Sequence, residues 1–157
     1  AVPFGAACNI RMYSKSTEYA IRAIIFIALK GKPGKPLGAV DIAHKLDFPE
    51  AFLSKVLQNL AKKNLVISVK GPGGGFYVDK EILKYTILNI VEILEDMDFL
   101  CKCGLGLHTC NHENPCPIHD EYELVKVKMR NALSYKSINQ IKDEIAEGTY
   151  SMQFELN

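Results

Sequence analysis

Between Cys101 and His119 the chain reads CKCGLGLHTCNHENPCPIH, nineteen residues that hold four of its five cysteines and three of its four histidines. Thiolates are soft ligands and imidazole is borderline, so side chains of these types at this density can hold a soft metal ion or a metal cluster. Disulfide staples explain them less well. A chain of 157 residues that is 48% apolar can bury a core without staples, and in a reducing compartment clustered cysteines favour metal or redox chemistry. Gly104 and Gly106 let the loop wrap closely, Pro115 and Pro117 stiffen the approach to Cys116 and His119, and Asn114, ahead of a proline, is biased toward an extended or turn conformation. Zinc is the rival occupant. Cys101, Cys103, Cys110 and Cys116 would supply four thiolates, although their spacings fit neither usual zinc-ribbon pattern.

The elements that must carry such a loop divide by charge. Residues 1–80 hold twelve Lys/Arg against five Asp/Glu, and residues 81–157 hold seven against thirteen, so the net charge of +1 conceals a basic first half suited to a polyanion. The apolar run AIIFIAL, residues 23–29, is too short to span a bilayer and has no cleavage site after it, so a cytoplasmic protein without membrane attachment is expected. Residues 1–11 show no period and read as a flexible extension or expression remnant, with Cys8 incidental and Met12 a plausible natural start.

Ser14 or Ser16 caps a first helix, with Glu18 in its first turn and YAIRAIIFIALK apolar on nearly every face. Arg22 is the exception there, set either against an acidic group or toward a phosphate. After the basic Pro/Gly loop at 30–38, two helical patterns follow at 40–46 and 49–64, joined by Asp47 and Phe48. In the second, Phe52, Leu53, Val56, Leu57 and Leu60 form one stripe, and Ser54, Lys55, Gln58, Asn59, Lys62 and Lys63 face away from it. Two helices so joined, the second polar and basic outside, make a helix-turn-helix. LVISVK, GPGGG and FYVD then read as a two-stranded hairpin, or wing, whose glycines permit close approach to a phosphate backbone. Further on, Thr86 caps an amphipathic helix. A long helix from Asp120 to about Tyr135 carries Leu124, Val125, Val127, Met129, Ala132 and Leu133 on an apolar face, and Ser137 with Gln140 boxes a last short helix. A second copy of the chain is the simplest cover for that face.

STEYAIRAIIFIA, the helix-turn-helix, LVISVKGPGGGFYV, the NPCPIH run and the long helix after it together resemble the IscR/NsrR-type bacterial transcription regulators, the Rrf-two family. The resemblance extends from Met12 to Ile145. It implies a mainly α fold with a small two-stranded β-wing: a winged helix-turn-helix over 12–80, then a cluster-binding loop and dimerisation helices over 81–157. It also implies a homodimer on palindromic double-stranded operator DNA and, in many members, a 2Fe-2S or other iron-sulfur cluster. By position Cys110, Cys116 and His119 match two cysteine ligands and a histidine ligand. The family's commonest spacing puts five residues between its first two cysteines. Here six residues separate Cys103 from Cys110 and eight separate Cys101 from it; CGLGLHTC resembles a variant of the family with a Gly-Leu loop, which makes Cys103 the choice and Cys101 the alternative. Glu18 stands where some relatives offer a carboxylate from the other subunit and competes with His119. His108 and His112 fall outside the matched positions and read as solvent-exposed loop residues. On the DNA side, the resemblance puts base reading on the N-terminal half of the helix after Pro49. Ala51 and Ser54 stand there where a well-known branch has a serine and a glutamate, so its operator sequence is not expected to carry over. Lys70 stands for a minor-groove arginine and keeps the charge without the planar fork. Lys55, Gln58, Lys62, Lys63 and the wing glycines Gly73, Gly74 and Gly75 complete the expected contact surface.

Three thiolates with one imidazole or carboxylate hold a cluster less negatively than four thiolates, and the resulting higher potential suits a sensor. The expected function is transcription regulation, not catalysis, with operator affinity set by cluster loss, oxidation or nitrosylation. The alternatives keep the fold with zinc or no cofactor, as a thiol or zinc sensor or an enzyme-binding regulatory partner. An electron-transfer role is a further option, opposed by the complete winged helix.

Overall fold

The computed structural model describes residues 12–152; the expected extension at 1–11, with Cys8, and the last five residues lie outside the described residues. Helix α1 spans Lys15–Lys30. Its N-cap is Ser14, whose hydroxyl accepts from the Thr17 N–H at 3.2 Å, and Glu18 occupies the first turn. Its apolar circumference is buried as the composition requires: Ala23, Ile24 and Ile27 are fully enclosed. The Arg22 guanidinium lies over the Phe48 ring, 4.6 Å from its centroid. The contact found for it is thus aromatic, not the acidic group that the sequence offered as one alternative.

Helices α2 (Ala39–Leu46) and α3 (Glu50–Lys62) pack on each other and on α1. Asp47 turns the chain between them in the left-handed conformation, φ 53° and ψ 49°. Phe48 then drops into the core and stacks on Tyr19 with ring centroids 3.8 Å apart. Leu53, Leu57 and Leu60 are fully buried, each contributing about 1.5–3 kcal/mol of burial free energy. That stripe fixes which face of α3 is left for solvent.

The wing is shorter than the expected strands. β1 (Ile67–Val69) pairs antiparallel with β2 (Gly75–Tyr77), Ser68 opposite Phe76. Leu65 and Val66 precede β1 and are both buried, so there the chain serves the core and does not alternate. The base of the wing is tied down by Leu37 and Phe76, which exchange both backbone hydrogen bonds at 2.8 and 2.9 Å. This close approach is why position 75 is glycine: at φ 153°, a Cβ there would lie 2.3 Å from the Leu37 carbonyl oxygen.

A 3-10 turn at Ile82–Lys84 leads to α4 (Ile87–Leu94), capped by Thr86 and Asn89 in a capping box, then to the short α5 (Asp98–Cys101). Helix α6 spans His119–Ser134, and α7 spans Ile138–Ala146, boxed by Ser137 and Gln140. The hydrophobic core runs unbroken past residue 80: Val78, Ile82, Ile90 and Ile138 belong to one cluster with α1, α2 and α3. Helix α6 behaves differently. Its buried residues are His119 and Lys126, whereas Leu124, Val125 and Val127 are 56%, 48% and 53% exposed. No helix among the described residues is long and apolar enough to cross a membrane.

Candidate metal centre and nucleic-acid interface

The loop between α5 and α6 is shaped by local polar bonds, since it buries almost nothing apolar. The Asn111 carboxamide oxygen accepts from the N–H groups of Glu113 and Asn114 at 2.9 and 2.8 Å, closing a turn between Cys110 and Cys116. The Gly106 N–H donates to the Cys103 carbonyl at 2.9 Å, and the His119 N–H to the Cys116 carbonyl at 3.0 Å. Gly104 lies against the Tyr122 ring, where a Cβ would sit 3.0 Å from ring carbons, so the first arm of the loop hugs α6.

These turns bring three sulfurs together. The Sγ atoms of Cys103, Cys110 and Cys116 all lie within 4.8 Å of one another, and those of Cys103 and Cys116 are 3.6 Å apart. Nδ1 of His119, itself buried, is 3.1 Å from Cys110 Sγ. Cys101 lines the same cavity of about 230 Å3 but is exposed and outside the three-sulfur group. Glu18 stays in the first turn of α1 and joins no such group of ligand atoms among the described residues. Backbone N–H groups of Leu107 and Leu105 bring the Cys103 thiol down to about 7. Cys110 is pushed up. The Cys116 N–H favours its thiolate, but desolvation and the neighbouring sulfurs of Cys116 and Cys103 outweigh that.

Four further residues border the sulfurs. Tyr122, Glu123 and Lys126 follow His119 at intervals of three, four and seven, which stacks them on one face of α6, and that spacing was available in the sequence. The Lys126 side chain is 8% exposed, and its ammonium donates to Glu123 at 2.6 Å and lies 5.1 Å from the Tyr122 ring centroid. His112 is the fourth. It is exposed, as expected for a loop residue, yet its Nδ1 lies 3.3 Å from Nε2 of His119. Nothing local in the sequence signals that contact, because the intervening turn creates it.

Ala51, Lys55, Gln58 and Lys62 are exposed along α3, and Ser54 is half-buried. Lys63 turns away, donating its ammonium to the Ile93 carbonyl at 2.5 Å near the end of α4. Lys70 and Gly73 are exposed in the wing. Gly74 and Gly75 are half-buried and serve the hairpin itself, each position bringing a hypothetical Cβ within 2.3 Å of a backbone oxygen.

Residues 13–144 match the profile of the Rrf2 family, described as iron-dependent transcriptional regulators. A relative from Aquifex aeolicus that carries the name of an HTH-type transcriptional regulator is 33% identical over 132 residues, covering 83% of this chain and 90% of that protein. The HTH-type transcriptional regulator IscR of Photorhabdus laumondii is 25% identical over 132 residues, with 84% and 79% covered. Among solved structures, T. potens IscR superposes with a TM-score of 0.66 at 22% identity, covering 92% of this chain and 94% of that one. CymR, the global cysteine regulator of B. subtilis, superposes with a TM-score of 0.68 at 18% identity, covering 85% and 98%.

Proposed function

The chain belongs to the Rrf2 family of winged-helix transcriptional regulators, and from that premise we propose that its affinity for operator DNA is governed by an iron-sulfur cluster, most simply 2Fe-2S, held by Cys103, Cys110, Cys116 and His119. The observation that carries this reading is the convergence of three sulfurs within 4.8 Å, with an imidazole nitrogen 3.1 Å from one of them. That donor set fits the cofactor chemically, since sulfide-bridged iron is held chiefly by thiolates. A cluster bound there supplies one-electron redox chemistry and sensitivity to oxidants. Cys101, and Glu18 from a second subunit, are the alternative ligands.

The chain's own residues supply the rest. His119 opens α6, so the way the loop is held bears directly on where α6 begins. The exposed Leu124, Val125 and Val127 suit a homodimer packed through α6. Two copies then present two α3 helices to a palindromic operator, with Ala51, Ser54, Lys55, Gln58 and Lys62 toward the major groove and Lys70 and Gly73 toward the backbone or minor groove. Half-sites about one helical turn apart demand a recognition-helix separation of roughly 34 Å. A shift of α6 that changes this separation costs specific binding. A DNA-binding regulator of this kind works in the cytoplasm.

Anaerobic purification with visible absorption and iron, sulfide and zinc analysis tests the site. Cys103→Ala, Cys110→Ala and Cys116→Ala should each lose iron; three variants that keep wild-type iron overturn the ligand assignment. Gel shifts on genomic fragments, with loaded and metal-free chain, should give a saturable, sequence-selective shift that differs between the two forms. A second reading, a thiol sensor without cluster, draws on the 3.6 Å separation of Cys103 and Cys116 and on the lowered Cys103 thiol. It expects oxidation of the metal-free chain to form a Cys103–Cys116 disulfide that changes DNA affinity.

A further inference from the structure

His112 touches the metal centre without belonging to the ligand set. Its Nδ1 lies 3.3 Å from Nε2 of His119, and the two rings meet edge to face at 85° with centroids 5.0 Å apart. His119 thus has both nitrogens engaged, Nδ1 toward Cys110 Sγ at 3.1 Å and Nε2 toward His112. A neutral imidazole has one lone pair and one N–H. If Nδ1 is to offer its lone pair on the side of the sulfurs, the proton must sit on Nε2, where it points at Nδ1 of His112.

We propose that His112 is a positioning residue of the metal centre: its Nδ1 accepts the Nε2–H of His119 and so fixes the tautomer and ring plane in which Nδ1 of His119 faces the thiols. Metal-binding histidines ordinarily hand their second N–H to a carboxylate, a backbone carbonyl or water. The carboxylate that lines this cavity, Glu123, is one turn along α6 from His119, but it is taken by the Lys126 ammonium at 2.6 Å. The role therefore falls to the loop imidazole, which the Asn111 turn carries to that spot. This inference deepens the cluster reading and rests on it.

The test loads full-length wild type, His112→Ala and His112→Asn with ferrous iron and sulfide under anaerobic conditions. The loaded chains are challenged with an iron chelator, and nitrogen coupling to the reduced centre is recorded by pulsed electron paramagnetic resonance. His112→Ala should bind iron about ten- to a hundredfold more weakly, the usual effect of losing such a partner, and so surrender it to the chelator sooner than wild type, with the His119 nitrogen coupling weakened. Asparagine places Oδ1 close to the site of Nδ1 and can accept the same hydrogen bond, so His112→Asn should restore most of the lifetime and the coupling. Because His112 is exposed, the unfolding midpoint of the metal-free chain should be the same in all three. If wild type loads but His112→Ala holds iron as long, or His112→Asn is as labile as His112→Ala, the positioning role is overturned and the cluster reading stands. A wild-type chain that takes up no iron and sulfide overturns both.

Discussion

The helix-turn-helix and the cysteine loop are held together by opposite means. Around α3, fully buried Leu53, Leu57 and Leu60 meet Ile24, Ile27, Ile42 and Leu46 in one apolar core, and the polar residues of α3 are left outside as a consequence. Between Cys101 and His119 the apolar side chains Leu105, Leu107 and Ile118 are exposed, only His119 is buried, and shape comes from the Asn111 turn and backbone hydrogen bonds. Helix α6 runs on from that loop with His119 and Lys126 buried while Leu124, Val125 and Val127 are exposed and Met129 and Leu133 half-buried, so part of its apolar face lies open. One region is held by its own apolar core and the other by local polar bonds, which suits the proposed pairing of a constant DNA-reading element with a changeable input.

Substitutions in the two regions should therefore differ in effect. Leu57→Ala should cost about 2–5 kcal/mol in chemical denaturation, because the core cannot collapse fully onto the gap. Cys110→Ala, by contrast, should abolish iron retention while moving the unfolding free energy of the metal-free chain by no more than about 0.5 kcal/mol. Equal destabilisation by the two would erase the distinction drawn between the regions. Gly75→Ala comes next. Its new methyl group meets the Leu37 carbonyl and its backbone must hold φ 153°, so a loss of about 1–3 kcal/mol is expected together with weaker DNA binding. Lys70→Ala should leave stability alone and lower the slope of log affinity against log salt by about one, as removal of one phosphate contact does; an unchanged slope means Lys70 does not reach the backbone. The smallest effect is on reactivity. The folded chain holds the Cys103 thiol at about 7, favouring thiolate. Alkylation of Cys103 in the metal-free chain should therefore rise through about pH 7 and Cys110 should follow only at higher pH, as mass spectrometry of a pH series would show.

Much of the fold was legible beforehand because it depends on short periods. The stripe of Leu53, Val56, Leu57 and Leu60 determines a helix and its buried face, although Phe52, read into the same stripe, is exposed at its edge; Thr86 and the pair Ser137 and Gln140 mark helix starts, and the GPGGG run marks the wing turn. The cysteine density likewise pointed to soft-metal chemistry, and the resemblance of CGLGLHTC to a Gly-Leu loop variant selected Cys103, whose sulfur lies beside those of Cys110 and Cys116. Other features depend on distance through space. The aromatic partner of Arg22, the Lys63 ammonium on Ile93, the tie between Leu37 and Phe76 and the burial of Lys126 all involve groups whose neighbours are set by packing.

Residue types at helical and strand spacing were enough to read the winged helix, the exposed basic face of α3 and a thiol-rich loop, since each is a local pattern. It took packing through space to leave Cys101 outside the three-sulfur group, to set Gly74 and Gly75 against backbone oxygens, and to lay His112 against His119. The physical reason is the same in each case. A loop without an apolar period has no local rule for which side chains meet, and their meeting is fixed only when its turns close and the loop settles onto α6.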